Sequence, residues 1–260
     1  MASSISRQPG LSAAELKIIA IVAMTGDHLA WAFLPTVSLP AFFLHLLGRT
    51  AMPVMCFFIA EGYRHTHSVP RYALRLGFFA LASAVPFSYF DTGTLLGSPF
   101  SVLYTLLLGL LAIWACDAIR SPLLCMLVLA ALALLVLPGD WGVYGLGWCL
   151  LFFGLHGRRL PQALCFSALV LCFAAQVSLP LFVQGAPAAE LICIGGIQLG
   201  GLLALPLLAT YNGRPARRAA DPAVSAQRAP VRRRAASLAF YFYYPLHLAL
   251  IDLALWRLGG

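Results

Sequence analysis

The chain has 260 residues, 61% of them hydrophobic and only 10% charged, with a mean hydropathy of +0.88 and a net charge of +8. A soluble globular domain carries about 25% charged residues, so this composition excludes one and leaves no room for a large soluble appendage. It points to an all-α, polytopic membrane helical bundle, a single transmembrane domain over residues 1–260 in contact with the lipid bilayer.

In chain order, apolar runs predict helices at roughly 16–34, 41–61, 72–90, 100–118, 122–138, 141–156, 161–180, 188–210 and 237–256, about nine spans with eight to ten as the range. The first run carries Asp27 and His28 and is followed by many more, so it reads as a span and not as a cleavable leader. The runs at 122–138 and 141–156 are short and separated only by "PGD", which suits a tight hairpin. Fifteen of the seventeen Lys and Arg fall on alternate connections: Arg7 and Lys17, then Arg64, Arg71 and Arg75, then Arg120, then Arg158 and Arg159, then seven arginines between 214 and 234. The opposite connections, "PTVSLP", "DTGTLLGSP", "PGD" and "QGAPAAE", hold none. The bias predicts a cytoplasmic N-terminus. The Arg-, Ala- and Pro-rich stretch 211–236 is expected to be a mobile cytoplasmic loop that holds anionic lipid. Without aromatic interleaving or a binding fold, it predicts no nucleic-acid partner. The seven cysteines show no C-x-x-C pairing and read as small buried hydrophobes. His65 and His67 form an H-x-H without an evident third ligand, so no metal is expected.

Ionisable residues inside the apolar runs carry the functional signal. At 1.5 Å per residue, Asp27 and His28 lie about 15 Å in from Lys17, Arg49 about 13 Å in from Pro40, and His247 about 15 Å along the last run. Asp27, His28, Arg49 and His247 therefore share one depth, where each is costly unless it faces partners or water. A purely structural clamp of three helices is the bland alternative, but interhelical polar contacts in membranes recover only about 0.6–2 kcal/mol. Glu61, Arg64, Arg71 and Arg75 cluster where the second run ends, with Arg158 and Arg159 on the same side. "GDWGVYGLGW" brings Asp140, Trp141 and Tyr144 to the opposite interface, as an aromatic belt or as the lip of an entrance. His45, nearer that surface, reads as a packing histidine.

Several of these segments together resemble the TraX family, the pilin N-acetylases of conjugative plasmids. They are "LKIIAIVAMTGDHLA" (16–30), "LGRTAMPVMCFFIAEGYRHTHSVPRYALRLGFFALASAVPF" (47–87), "SVLYTLLLGLLAI" (101–113), "GDWGVYGLG" (139–147), "YNGRP" (211–215) and "FYFYYPLHLALI" (240–251). The resemblance runs over about residues 16–255 and implies a multi-pass protein of a bacterial inner (cytoplasmic) membrane. It implies transfer of an acetyl (acyl) group from acetyl-CoA to the N-terminal amine of a small membrane or secreted, pilin-like subunit, as in transmembrane acyltransferases.

Acyl transfer needs a base, something that orients the base, and positive charge or donors for the oxyanion. His28 is the expected base, with His247 as runner-up. Asp27 is expected either to pair with Arg49 or to orient His247; Arg49 either polarises the thioester or balances Asp27. Arg64, Arg71, Arg75, Arg158 and Arg159, with Glu61 among them, are expected to bind the phosphates of acyl-CoA, because no Gly-rich phosphate loop is present. No nucleophile is evident, which favours direct transfer. Two other readings fit the polar residues: a proton-coupled transporter, for which the chain lacks an internal repeat, and a non-catalytic pilus or secretion assembly factor.

Overall fold

The computed structural model describes residues 10–95, 97, 100–213 and 222–259, and of 222–238 and 259 the backbone alone. Every described element is helical; the β-contacts are two isolated bridges, Leu11 with Tyr211 and Phe100 with Gly139. The helices are α1 (Ala13–Phe33), α2 (Leu39–Gly48), α3 (Ala51–His65), α4 (Val69–Thr92), α5 (Val102–Ala118), α6 (Pro122–Leu135), α7 (Gly142–Gly154), α8 (Arg159–Val183), a composite α9 (Ala188–Ala209) and a C-terminal helix (Pro222–Gly259).

Serine starts five of them, and in four its side chain caps the first turn. Ser12 accepts from the Glu15 amide while the Glu15 carboxylate takes the Ser12 amide, a capping box. Ser38, Ser68 and Ser121 cap α2, α4 and α6, each with proline in the first two helical positions, where its missing N–H costs nothing. The outer surface is apolar: Leu74, Leu81, Leu160 and Phe182 are 69–78% exposed. Such a surface requires lipid around it, so the chain is a membrane protein. Among the described residues five elements are long and apolar enough to cross a bilayer: α1, the α2–α3 pair, α4, α8 and α9; α5, α6 and α7 are shorter.

Two expectations need correction. The run 41–61 lies within one apolar span, Leu39–His65, but the helix is interrupted at Arg49–Thr50, which divides it into α2 and α3. The stretch 211–236 is not a loop throughout. Residues 222–236 are helical, 214–221 lie outside the described residues, and so do the side chains of Arg228 and Arg232–Arg234.

α1 packs antiparallel to α2, and α3 sits between α5 and α7 at the centre of the bundle. Trp148, Phe152, Phe166 and Leu110 fill the core there. The C-terminal helix lies against α4 and α1, which closes the ring around the polar residues. α9 passes through a π-helical turn (191–195) and a 3-10 stretch (196–203). Its Gly200 lies against the α2 backbone, where a Cβ would collide with the Leu46 carbonyl oxygen.

Candidate active site

A cavity of about 480 Å³ opens between α1, α3, α4, α5 and the C-terminal helix. Asp27, His28, Trp31, Arg49, Met52, Phe90, Asp91, Asp140, Trp141 and Tyr244 are among the residues on its wall. The shared depth of Asp27, His28 and Arg49 is thus a shared surface, and His247 stands directly behind His28.

The two imidazoles are joined. His28 Nδ1 lies 2.8 Å from His247 Nε2, and His247 Nδ1 lies 3.0 Å from the Tyr243 carbonyl oxygen. A carbonyl only accepts, so His247 carries its proton on Nδ1 and its Nε2 is a lone pair. His28 must then donate from Nδ1, which leaves its own Nε2 as a lone pair. The Tyr243 ring stacks on His247 at 5.1 Å and its hydroxyl meets Thr25 Oγ1 at 2.7 Å, fixing the support.

Asp27 has different partners from either histidine of that pair. His45 Nδ1 donates to Asp27 Oδ1 at 2.6 Å, and Arg49 Nη2 stands 3.3 Å from Oδ2 and 3.4 Å from Oδ1. His45 and Arg49 are four residues apart, one face of α2 and its C-cap. Between them Gly48 lets α1 approach: a Cβ there would collide with Asp27 Cβ and Cγ. Asp27 therefore pairs with Arg49, as one of the expected alternatives held, and does not orient His247. His45, expected to be a packing residue, is fully buried and serves this carboxylate, with Trp31 against its ring at 4.2 Å. Its signal in the sequence was the H-x-x-x-R spacing.

The break after α2 has a second effect. Arg49 is free to lie 5.2 Å from the Trp141 ring, on the opposite wall. Trp141 has φ +66°, a left-handed conformation unusual for a bulky side chain, at the N-cap of α7. The turn before it is clasped to the α4–α5 connection, with the Phe100 amide on the Pro138 carbonyl and the Asp140 amide on the Phe100 carbonyl, both at 2.7 Å. Thr105 adds a bond to the Asp140 carbonyl. Burial pushes the Asp140 carboxyl up to about 7, against the pull of Arg49 and with the help of Asp27 and Asp91. Asp91 and Asp140 were not singled out as catalytic candidates, since nothing in a turn residue's spacing reports its depth.

The other candidates spread over the end of the bundle where α3 stops and α4 and α8 start. Glu61 pairs with His65 at 3.2 Å. Arg64 donates to the Phe153 carbonyl. Arg71, Arg158 and Arg159 are exposed. Arg75 lies over Tyr72 and Tyr241. Asp252, a turn beyond His247 on the C-terminal helix, lies away from the cavity and lines a groove between α4 and that helix. Among the described residues no group of three or more His, Cys, Asp or Glu could hold a metal ion.

A second, narrower chamber of about 100 Å³ runs from Lys17, Phe58, Tyr72 and Tyr241 towards the cavity. The two share Met24, Met55, Val102 and Tyr244 on their walls.

The family model described as TraX protein matches residues 12–255. A protein of Dichelobacter nodosus named "Probable fimbrial assembly protein FimC, serogroup H1" is 30% identical over 264 residues, covering 95% of this chain and 96% of the relative. No solved structure matches.

Proposed function

Since the chain belongs to the TraX family, we propose that it is a membrane acyltransferase that carries acetyl from cytosolic acetyl-CoA to the N-terminal amine of a pilin-like subunit. The name of the Dichelobacter relative, a fimbrial assembly protein, fits an acceptor of that kind. The basic end of the bundle would face the cytosol, by the distribution of positive charge. The donor would enter there and the acceptor from the other side.

The observation that carries the reading is His28 on the cavity wall, joined through Nδ1 to His247 and from there to the Tyr243 carbonyl, a chain that in its neutral form leaves His28 Nε2 as the lone pair. An imidazole held in that tautomer is a general base. The acceptor amine attacks the thioester carbonyl, and a C–N bond forms. His28 Nε2 takes the amine proton. The C–S bond then breaks, and the proton passes from His28 to the departing sulfur, giving free CoA and an amide. His247 would stabilise the imidazolium by keeping its lone pair on the Nδ1 proton. Arg49, held by Asp27 but with its Nε buried and unbonded, is the cation on the wall suited to the developing oxyanion. Asp27 would in turn be fixed by His45. No covalent acyl-enzyme is needed.

The test uses purified protein in detergent, acetyl-labelled acetyl-CoA and a synthetic peptide with a free N-terminus. Wild type should acetylate the peptide, whereas His28→Ala should bind CoA as before and turn over about 10²–10⁴ times more slowly. Equal rates would remove His28 from the chemistry and favour an assembly role without catalysis.

A further inference from the structure

Two cations stand at or beside the far end of the narrow chamber with no counter-charge among the described residues. Lys17, one turn into α1, is half-buried on the chamber wall, its Nζ 4.9 Å from the Phe58 ring centre and 6.0 Å from that of Phe240. Arg75 of α4 is half-buried over Tyr72 and Tyr241, at 5.2 and 5.0 Å, and both tyrosines line the same chamber. Arg75 Nε is buried and has no hydrogen-bond partner. Among the described residues the ion pairs are His45–Asp27, Arg49–Asp27 and His65–Glu61, so neither Lys17 nor Arg75 meets a carboxylate. Aromatic faces soften an isolated cation. They do not offset two like charges held together away from water.

We infer that Lys17 and Arg75 form a phosphate site at the mouth of the chamber, which seats a phosphate or pyrophosphate ester whose slender chain runs between Met24 and Met55 to His28. The reach required is about 16 Å, the rise of α1 from residue 17 to 28. The chamber's small volume suits an unbranched chain and excludes a bulky one. The other basic residues at this end are less suited: Arg64 is engaged by the Phe153 carbonyl, and Arg158 and Arg159 face outward. The direction of the chain, towards His28, rests on the acyltransferase reading; the anion site itself does not.

The same chemistry is carried by a nucleotide thioester and by a phospholipid of the inner leaflet, and two arms separate them. In the first, protein in phosphatidylcholine nanodiscs is titrated with CoA, and separately with pyrophosphate, by equilibrium dialysis. Lys17→Met and Arg75→Gln should each weaken binding by about tenfold or more, while Arg120→Gln at the exposed end of α5 leaves it unchanged. In the second, native mass spectrometry follows phosphatidylglycerol retained from mixed nanodiscs by wild type and Lys17→Met. Thermal unfolding provides the control for folding. Removing one of two like charges should raise the Tm of ligand-free Lys17→Met and reduce the shift that CoA or pyrophosphate produces. CoA binding that depends on both cations supports the site with a nucleotide donor. Lipid retention alone that depends on Lys17 supports the site with a phospholipid, and sinks the CoA route. Binding of neither anion, or binding indifferent to both substitutions, overturns the site. Intact CoA binding without peptide acetylation would instead count against the proposed function and leave the site standing.

Discussion

His28 and Asp27 are adjacent in the chain, yet they serve separate hydrogen-bonded systems. The helix turns them about 100° apart, so His28 looks across to the C-terminal helix and Asp27 to α2. This division predicts separable phenotypes. His247→Phe keeps an aromatic ring beside Tyr243 but removes the acceptor for the His28 Nδ1 proton. It should lower kcat about 10²-fold while CoA affinity, measured by dialysis, stays as in wild type. Asp140 supplies a prediction in pH. An unfolded Asp titrates near about 3.9, whereas burial sets this one at about 7, with Arg49, Asp27 and Asp91 facing it. The folded state binds the proton more tightly, so wild-type stability falls as pH rises from about 4 to about 7 and then levels off. Asp140→Asn lacks that dependence. The excess of its Tm over that of wild type should widen across that window and stay constant above it, read by tryptophan fluorescence in detergent.

The break between α2 and α3 decides which side chains reach the cavity. A straight helix over 41–61 would place His45 about 6 Å from Arg49 along one face, but would not free Arg49 to lie on Trp141. The four ionisable groups at mid-depth were legible because charge inside an apolar run has so few acceptable explanations. His247 was legible as a neighbour of His28 by depth alone. The partner of Asp27 was legible only as one of two alternatives, because depth does not report the rotation of a helix about its axis. The break left one signal in the sequence that hydropathy does not report: Pro53, in the first turn of α3, has no N–H for the Arg49 carbonyl four residues before it. Gly48 has its meaning in packing, and that gives a direct test. Gly48→Ala forces a Cβ into Asp27, at a cost of about 1–3 kcal/mol, so its Tm should drop and its acetylation rate fall, while alanine at Gly93, a helix end with nothing around it, should affect the Tm only through its positive φ.

At the scale of the whole molecule, the asymmetry of charge and the order of the chambers run the same way: Lys17 and Arg75 at one end, Asp91 and Asp140 at the other, with His28 between. The sidedness is checked by single cysteines in a background with exposed Cys116, Cys165 and Cys172 replaced by alanine. A membrane-impermeant maleimide applied to spheroplasts should label Gln184→Cys and spare His67→Cys until the cells are lysed. Reversed labelling would turn the donor route round. The bond between His28 and His247 spans 219 residues, from the first described helix to the last. At the 5–20 residues per second of bacterial synthesis, the two imidazoles are made about 10–45 s apart. Throughout that interval His28 has no His247 to accept its Nδ1 proton. On the acyltransferase reading, a ribosome stalled anywhere before the last helix would leave His28 without its partner, and acetylation would begin only when the bundle is complete.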